Sequence, residues 1–264
     1  MSTVRLTITA ELTLASPTMV RTQLHAIEGA TQHVEGTTLT ATPPAATLSS
    51  RLAEGALATY LHLPAGTSRI QAESVVTLSK PAYLSRRFPS LTWDQAAALI
   101  RAVRATGRTG DDTHVTPGEA LYMAATSVPS PLVSIDDDAR DLAFSTLAPG
   151  QPLIVGVAEV AAKIAARGLD AADSTHAFLG AMRAVGIASA YVLGVVPGRG
   201  IHPFAAVCIP GFTWFPIDPQ ASRPVADGTV VLAWGRDAAD TPLLRLPDGG
   251  DGGATITATV APQR

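Results

Sequence analysis

Residues 170–196 read DAADSTHAFLGAMRAVGIASAYVLGVV, and residues 201–220 read IHPFAAVCIPGFTWFPIDPQ. The first stretch opens on Asp170, whose carboxylate suits the orphan N–H groups of a helix start. Asp173 adds negative charge in the first turn, where the helix dipole favours it. Phe178, Met182 and Val185 then share one helical face, and Gly186 ends the helix. Ala190–Val196 is a strand-like run, and Pro197-Gly-Arg-Gly200 is a turn. A second strand spans His202–Ile209, and Pro210-Gly211 leads into a third over Phe212–Ile217.

Working outward, Val4–Leu14 (VRLTITAELTL) alternates with the period of a half-buried strand, and Ser16-Pro17 breaks it. Further β-like runs are expected at Met19–Ile27, Gly36–Ala41, Ala56–Leu63 and Arg69–Leu78, punctuated by Pro43-Pro44 and Pro64-Ala-Gly. The first 80 or so residues therefore read as antiparallel β structure. The pattern changes at Ser90-Leu-Thr-Trp93. Ser90 or Thr92 can cap a helix over Asp94–Ala105, with Ala97, Ile100 and Val103 on one face. A Gly- and Asp-rich loop is expected over Thr106–Thr113, then helices over Asp136–Ser145 and Val157–Arg167, with Gly168 as a C-terminal cap. A Gly- and Asp-rich segment, Asp248–Gly253, precedes a last strand over Ala254–Val260.

The chain of 264 residues is 47% hydrophobic and 16% charged, with a net charge of −3. There is ample material for a core, and no basic stripe of the kind nucleic-acid binding needs. The single cysteine, Cys208, excludes an internal disulfide framework and a cysteine-rich zinc site. No apolar run has the length of a membrane span and the start lacks a signal-peptide h-region, so a cytoplasmic protein without membrane contact is expected. Gly194 and Gly198 follow a strand but have neither the spacing nor the downstream helix of a dinucleotide fingerprint. No cofactor is implied.

The two opening stretches resemble motifs of the bacterial transglutaminase-like family, part of the papain-like thiol superfamily. The family's core helix reads roughly GVCQDFAH, an apolar stretch, then LRALGIPARYVSGY. Here Ala171-Ala-Asp-Ser-Thr-His176 is followed by AFLGAMRAVGIASAYVLGV, with matching spacing from His176 to Gly186. The family's SHAWVEVYLPGLGWVGFDPT is similar to IHPFAAVCIPGFTWFPIDPQ, and Leu232-Ala-Trp-Gly-Arg-Asp237-Ala-Ala-Asp240-Thr-Pro242 resembles its closing segment. The resemblance covers about residues 90–245. It implies an α+β fold in which a papain/transglutaminase-like core of helices on an antiparallel sheet follows an N-terminal β domain. The expected division is 1–85 for the β domain, 86–247 for the core, and 248–264 for a Gly-rich turn and strand that returns to the first domain.

The resemblance also assigns chemistry. Enzymes of this kind need a thiolate, an imidazole to form it and a carboxylate to orient that imidazole. His202 stands at the histidine position and Asp218 at the carboxylate position. The nucleophile position falls on Ala171, and a methyl group has no electron pair for acyl transfer. The family's segment ahead of the cysteine is missing, since Val157–Arg167 runs almost straight into Asp170. Pro203 and Phe204 replace the Ala-Trp that follows the family's histidine, and Pro203 removes a backbone donor where the strand begins.

Other residues substitute poorly. Cys208 lies six residues beyond His202 in one strand, about 20 Å away at strand rise, and reads as a small buried hydrophobe. Ser174 is one helical turn past Ala171 and is the alternative nucleophile, weighed against a capping or surface role. Asp170 and Asp173 read as caps before acid or base groups, and His176 as a packing or hydrogen-bonding histidine. His202 and Asp218, with Asp170 or Asp173 as a third group, fall short of a metal set. The expected function is a degenerate, cysteine-less transglutaminase-like protein that binds a peptide, a protein partner or an amide-bearing molecule. The alternatives are a Cys-His-Asp amidase, peptidase or acyl transferase in Cys-to-Ala form, a residual hydrolase using another nucleophile, and a structural subunit with a filled cleft.

Overall fold

The computed structural model of the chain describes residues 1–51, 56–80, 89–106, 116–247 and 253–263. Strand β1 (Ser2–Leu14) buries Val4, Leu6, Ile8, Ala10, Leu12 and Leu14 and turns the residues between them outward, as its alternation demands. Five more strands follow: β2 (Thr18–Thr22), β3 (Gln32–Thr42), β4 (Thr47–Arg51), β5 (Leu57–Leu63) and β6 (Gly66–Leu78). β6 pairs with β1 along its whole length, from Ser2↔Leu78 to Leu14↔Gly66. One apolar cluster joins Leu6 and Ile8 of β1, Leu61 and Leu63 of β5, and Ile70 of β6. Each such side chain contributes about 1.5–3 kcal/mol by leaving water.

This region differs from the sequence reading in several details, among them the earlier starts of β3 at Gln32 and β6 at Gly66. The strand expected over Met19–Ile27 ends at Thr22, because the following N–H groups bond elsewhere. Gln23 donates to Leu243 (2.8 Å), Ala26 to Ser74 Oγ (3.3 Å) and Ile27 to Val231 (3.2 Å). β4 was not anticipated, since the Pro43-Pro44 signal hides the short run that follows it.

The second part contains the helices α1 (Trp93–Thr106), α2 (Pro117–Ala125), α3 (Asp137–Phe144), α4 (Leu153–Ala165) and α5 (Ala171–Ala184). Thr92 caps α1, its Oγ1 accepting from Gln95 N–H at 3.4 Å while Gln95 Oε1 accepts from Thr92 N–H at 3.1 Å. Apart from Thr106, the loop expected over Thr106–Thr113 lies outside the described residues, as does the boundary at 85/86. α2 was missed although its signals are local: Thr116 and Glu119 form a complete capping box with Pro117 at the first helical position. α4 begins four residues before the expected Val157, directly after Pro152, and Leu153, Val157, Val160, Ala161 and Ile164 form its buried stripe.

α5 starts at the Asp170 cap, whose Oδ1 accepts from Asp173 N–H at 2.8 Å, and Gly186 leaves it with φ +79°. Phe178, Met182 and Val185 are all buried. They pack into a cluster with Val157 and Ile164 of α4 and with inward residues of β8 (Gly200–Ile209) and β9 (Thr213–Asp218). Those strands join β7 (Ser189–Val196), β10 (Arg223–Pro224) and β11 (Val230–Gly235) in a sheet of order β10-β9-β8-β7-β11. This is the α+β papain/transglutaminase-like arrangement of helices on an antiparallel sheet, preceded by β structure.

The chain then returns twice to its first sheets. β12 (Leu244–Arg245) pairs with β2, and β13 (Thr255–Pro262) pairs with β1. Val195, Val230 and Leu232 of the second part belong to the same apolar cluster as Leu6 and Ile8. Gln32 stitches the parts at the backbone: its Nε2 donates to the Ile27 and Val231 carbonyls, and its Oε1 accepts from Val231 N–H at 2.8 Å. No helix among the described residues is long and apolar enough to cross a membrane.

Candidate functional site

The hairpin between β7 and β8 sets up the site. Gly198 and Gly200 take φ of +76° and +73°, a region open to glycine without strain. Arg199 N–H closes the turn on the Val196 carbonyl at 3.0 Å. His202 lies near the start of β8 and Asp218 at the end of β9. The structure brings His202 Nε2 and Asp218 Oδ2 to 3.0 Å. Both residues are buried, with 6% and 4% of their surface exposed. Asp218 Oδ1 accepts from the N–H groups of Gln220 (3.0 Å) and Ala221 (3.2 Å), so the same carboxylate holds the turn after β9.

A third group shares this pair. Arg199 Nη1 donates to Asp218 Oδ2 and lies 3.1 Å from His202 Nε2. Nη1, Nε2 and Oδ2 thus form a triangle that cannot hold three hydrogen bonds. If Nε2 carries a proton and donates to Asp218, its contact with Arg199 is donor against donor. If Nε2 accepts from Arg199, the bond to Asp218 is lost. Burial by itself would raise the Asp218 pKa. The His202 bond and charge, the Ala221 N–H and the Arg199 cation outweigh it, so the carboxyl stays below its ordinary range.

The pair is tied to the start of α5. Arg199 Nη2 donates to Gln220 Oε1 (2.9 Å), and Gln220 Nε2 donates to the Leu169 carbonyl (3.3 Å), two residues before Ala171. Ala171 is the first residue of α5 and is half-buried. Asp170 and Asp173 are exposed and make the cap. Ser174 is fully buried, and its Oγ donates to the Leu169 carbonyl at 3.4 Å. His176 stacks on Tyr191 (centroids 5.1 Å, 28° between planes), and its Nε2 accepts from Ala238 N–H at 3.3 Å. Its proton therefore sits on Nδ1. Burial lowers the His176 pKa, against the pull of Asp237 and Asp173.

The remaining residues singled out in the sequence have other surroundings. Pro203 is inside β8, opposite Leu193 of β7, and not at the strand start. β9 joins only from Ala205, so the missing N–H falls where β8 is paired on one side alone. Phe204 is buried with Ala190, Val192 and Ala206 beside Trp214 and Trp234. Phe204 also lines a cavity of about 1360 Å³ whose lining does not include Ala171, His202 or Asp218. Cys208 is 4% exposed, and burial, aided by the Glu119 charge, pushes its thiol up to about 12. Among the described residues no three His, Cys, Asp or Glu side chains converge to hold a metal ion.

The chain is similar to known proteins in sequence and in fold. The profile of the transglutaminase-like superfamily core matches residues 149–219. Uncharacterized proteins of Mycobacterium bovis and Mycobacterium tuberculosis are each 32% identical over 232 residues, covering 76% of this chain and 72% of their own. The chain belongs to the transglutaminase-like superfamily. In fold it is similar to the crystal structure of a candidate cysteine protease from Cytophaga hutchinsonii, with a TM-score of 0.71, 17% identity, and coverage of 100% of this chain and 92% of that one. The superfamily match runs from the residues before α4 to the residue after β9, so Ala171, His202 and Asp218 all fall within it. Within this transglutaminase-like core, α4 and α5 are joined by residues 166–170 alone, with Gly168 at φ +68°. Arg199 and Gln220 escaped the sequence reading. The Pro-Gly-Arg-Gly signal shows that the chain turns, and nothing in it shows that Arg199 folds back onto a strand end.

Proposed function

We propose that this transglutaminase-like protein is catalytically degenerate and binds a peptide, an amide-bearing molecule or a protein partner without processing it. The observations that support this reading are Ala171 at the start of α5 and a buried His202–Asp218 pair whose carboxylate is shared with Arg199, linked through Gln220 to Leu169 just before that helix. Thiol acyl transfer needs an electron pair at that helix start, an imidazole free to take the proton, and a carboxylate to stabilise the resulting imidazolium. Ala171 lacks the first. An imidazolium at His202 would also stand 3.1 Å from a guanidinium that already occupies the carboxylate. Nδ1 of His202 makes no hydrogen bond to the described residues, so it remains for an amide carbonyl or N–H of a bound molecule.

A second reading, a Cys-His-Asp amidase in Cys-to-Ala form, is favoured by the 3.0 Å His202–Asp218 contact. Ala171→Cys separates the two. For a degenerate site, iodoacetamide should modify the new thiol no faster than a free thiol of pKa about 8.5, at a rate unchanged by His202→Ala. A fast, His202-dependent thiol with turnover of a peptide amide would refute degeneracy and establish the second reading.

A further inference from the structure

We infer that the cavity of about 1360 Å³ is a binding site for an oxyanion carried on an apolar or aromatic body, with Arg21 and Arg245 as its anion-holding groups. The inference is independent of the His202–Asp218 site, none of whose members lines the cavity. Arg21 and Arg245 are directly opposite each other in the β2–β12 pair, so their side chains leave the sheet on one face with Cβ atoms about 4.5–5.5 Å apart. Like charges in that position repel, and a folded chain tolerates them where something else compensates.

The protein itself does not. Among the described residues neither arginine forms an ion pair, and the Nε of each is buried with no hydrogen-bond partner. The bonds they do make go to neutral groups. Arg245 Nη2 donates to the Ala239 carbonyl at 3.1 Å, and Arg21 Nη2 meets the Gln23 amide at 3.2 Å when that amide turns its oxygen towards it. The other charged lining groups do not answer the pair. Asp240 is taken by Arg236 at 2.8 Å, and Glu28 accepts from His33 and Val34. Lys80 adds positive charge, and Asp227, which also lines the cavity, makes no ion pair with either arginine.

The buried Nε groups are out of a ligand's reach, but Nη1 of each arginine is bonded to none of the described residues and is not among the buried atoms, and two such groups side by side suit a carboxylate or phosphate. The rest of the lining selects what that anion is attached to. Tyr122, Trp214 and Trp234 pack edge-to-face on the cavity wall, with centroids 5.4–6.5 Å apart. They offer an apolar surface for a ring or acyl chain, and a free inorganic ion would leave that surface unused.

The test is calorimetric titration of the full chain with phenyl phosphate, benzoate, inorganic phosphate and benzyl alcohol, repeated on Arg21→Gln and Arg245→Gln. An aromatic oxyanion should bind at least tenfold more tightly than inorganic phosphate or benzyl alcohol, and each substitution should weaken it at least tenfold. Preference for phenyl phosphate over benzoate, or the reverse, assigns the anion as phosphate or carboxylate. Without ligand, both variants should melt no lower than the parent, because a repulsion has been relieved. Equal binding of benzyl alcohol and benzoate, unchanged affinity in both variants, or no binding of any probe at 10 mM would each overturn the site. So would a large fall in melting temperature of both ligand-free variants, which would make the pair a structural one.

Discussion

Arg183 should be a costly side chain to remove from the core. It is 2% exposed near the end of α5, where Nη1 donates to the Val128 carbonyl (3.2 Å) and Ser130 Oγ (3.1 Å), and Nη2 donates to the Ser189 (2.8 Å) and Arg236 carbonyls. One guanidinium thus holds the loop before α3, the start of β7 and the end of β11 together. Arg183→Met keeps the stem volume and strands three carbonyls, each costing about 1–3 kcal/mol if left dry. It also removes the counter-charge of Asp237, which is fully buried and held by the N–H groups of Leu132 and Ala239. Against this stands the arginine's own burial. Its Nε has no partner, and desolvation draws its pKa down to about 10. Taking the low end for each carbonyl, and the usual loss on breaking a buried charged network, the net cost is about 3–5 kcal/mol. Urea unfolding with linear extrapolation measures it. Arg183→Lys should lie between parent and Arg183→Met, since an ammonium keeps the charge but cannot reach four acceptors in a plane. A loss below about 1 kcal/mol for Arg183→Met would mean that water replaces the fork, and the argument from stranded acceptors would fail.

Stability should fall as pH drops below about 6.5, the unfolded value for histidine. His25 and His176 both have lowered folded pKa values, chiefly from burial, so the unfolded chain takes up protons first; the loss is complete once pH passes below the folded values. The slope should reach about 1.4 kcal/mol per pH unit for each histidine, and a slope unchanged in the His25→Gln, His176→Gln double variant would rule these residues out as its source. Gln32→Leu should cost about 2–3 kcal/mol by stranding Val231 N–H, with faster amide exchange at Val231; unaltered exchange there would count against the stitch. Iodoacetamide should label Cys208 only on unfolding, since the thiol is buried and raised to about 12; stoichiometric labelling of native protein at pH 7 would contradict that burial.

The parts of this protein that its sequence determines by itself are those whose physics is local. The alternation of Val4–Leu14 can bury one face only, and the Asp170 cap with Phe178, Met182 and Val185 can make only one amphipathic helix. Even the missed helix α2 was written locally, in Thr116, Pro117 and Glu119. Motif spacing likewise marks Ala171, His202 and Asp218 as positions to compare with a family. The tertiary structure decides what depends on bonds between distant segments. The run after Thr22 stops being a strand because Leu243, Ser74 and Val231 take its N–H groups. Arg199 shares Asp218 because two left-handed glycines turn the hairpin back on itself, and Arg21 faces Arg245 because β12 returns to β2 from the far end of the chain. A charge acquires its meaning from the groups around it, and for Arg21, Arg183, Arg199 and Arg245 those groups come from elsewhere in the chain.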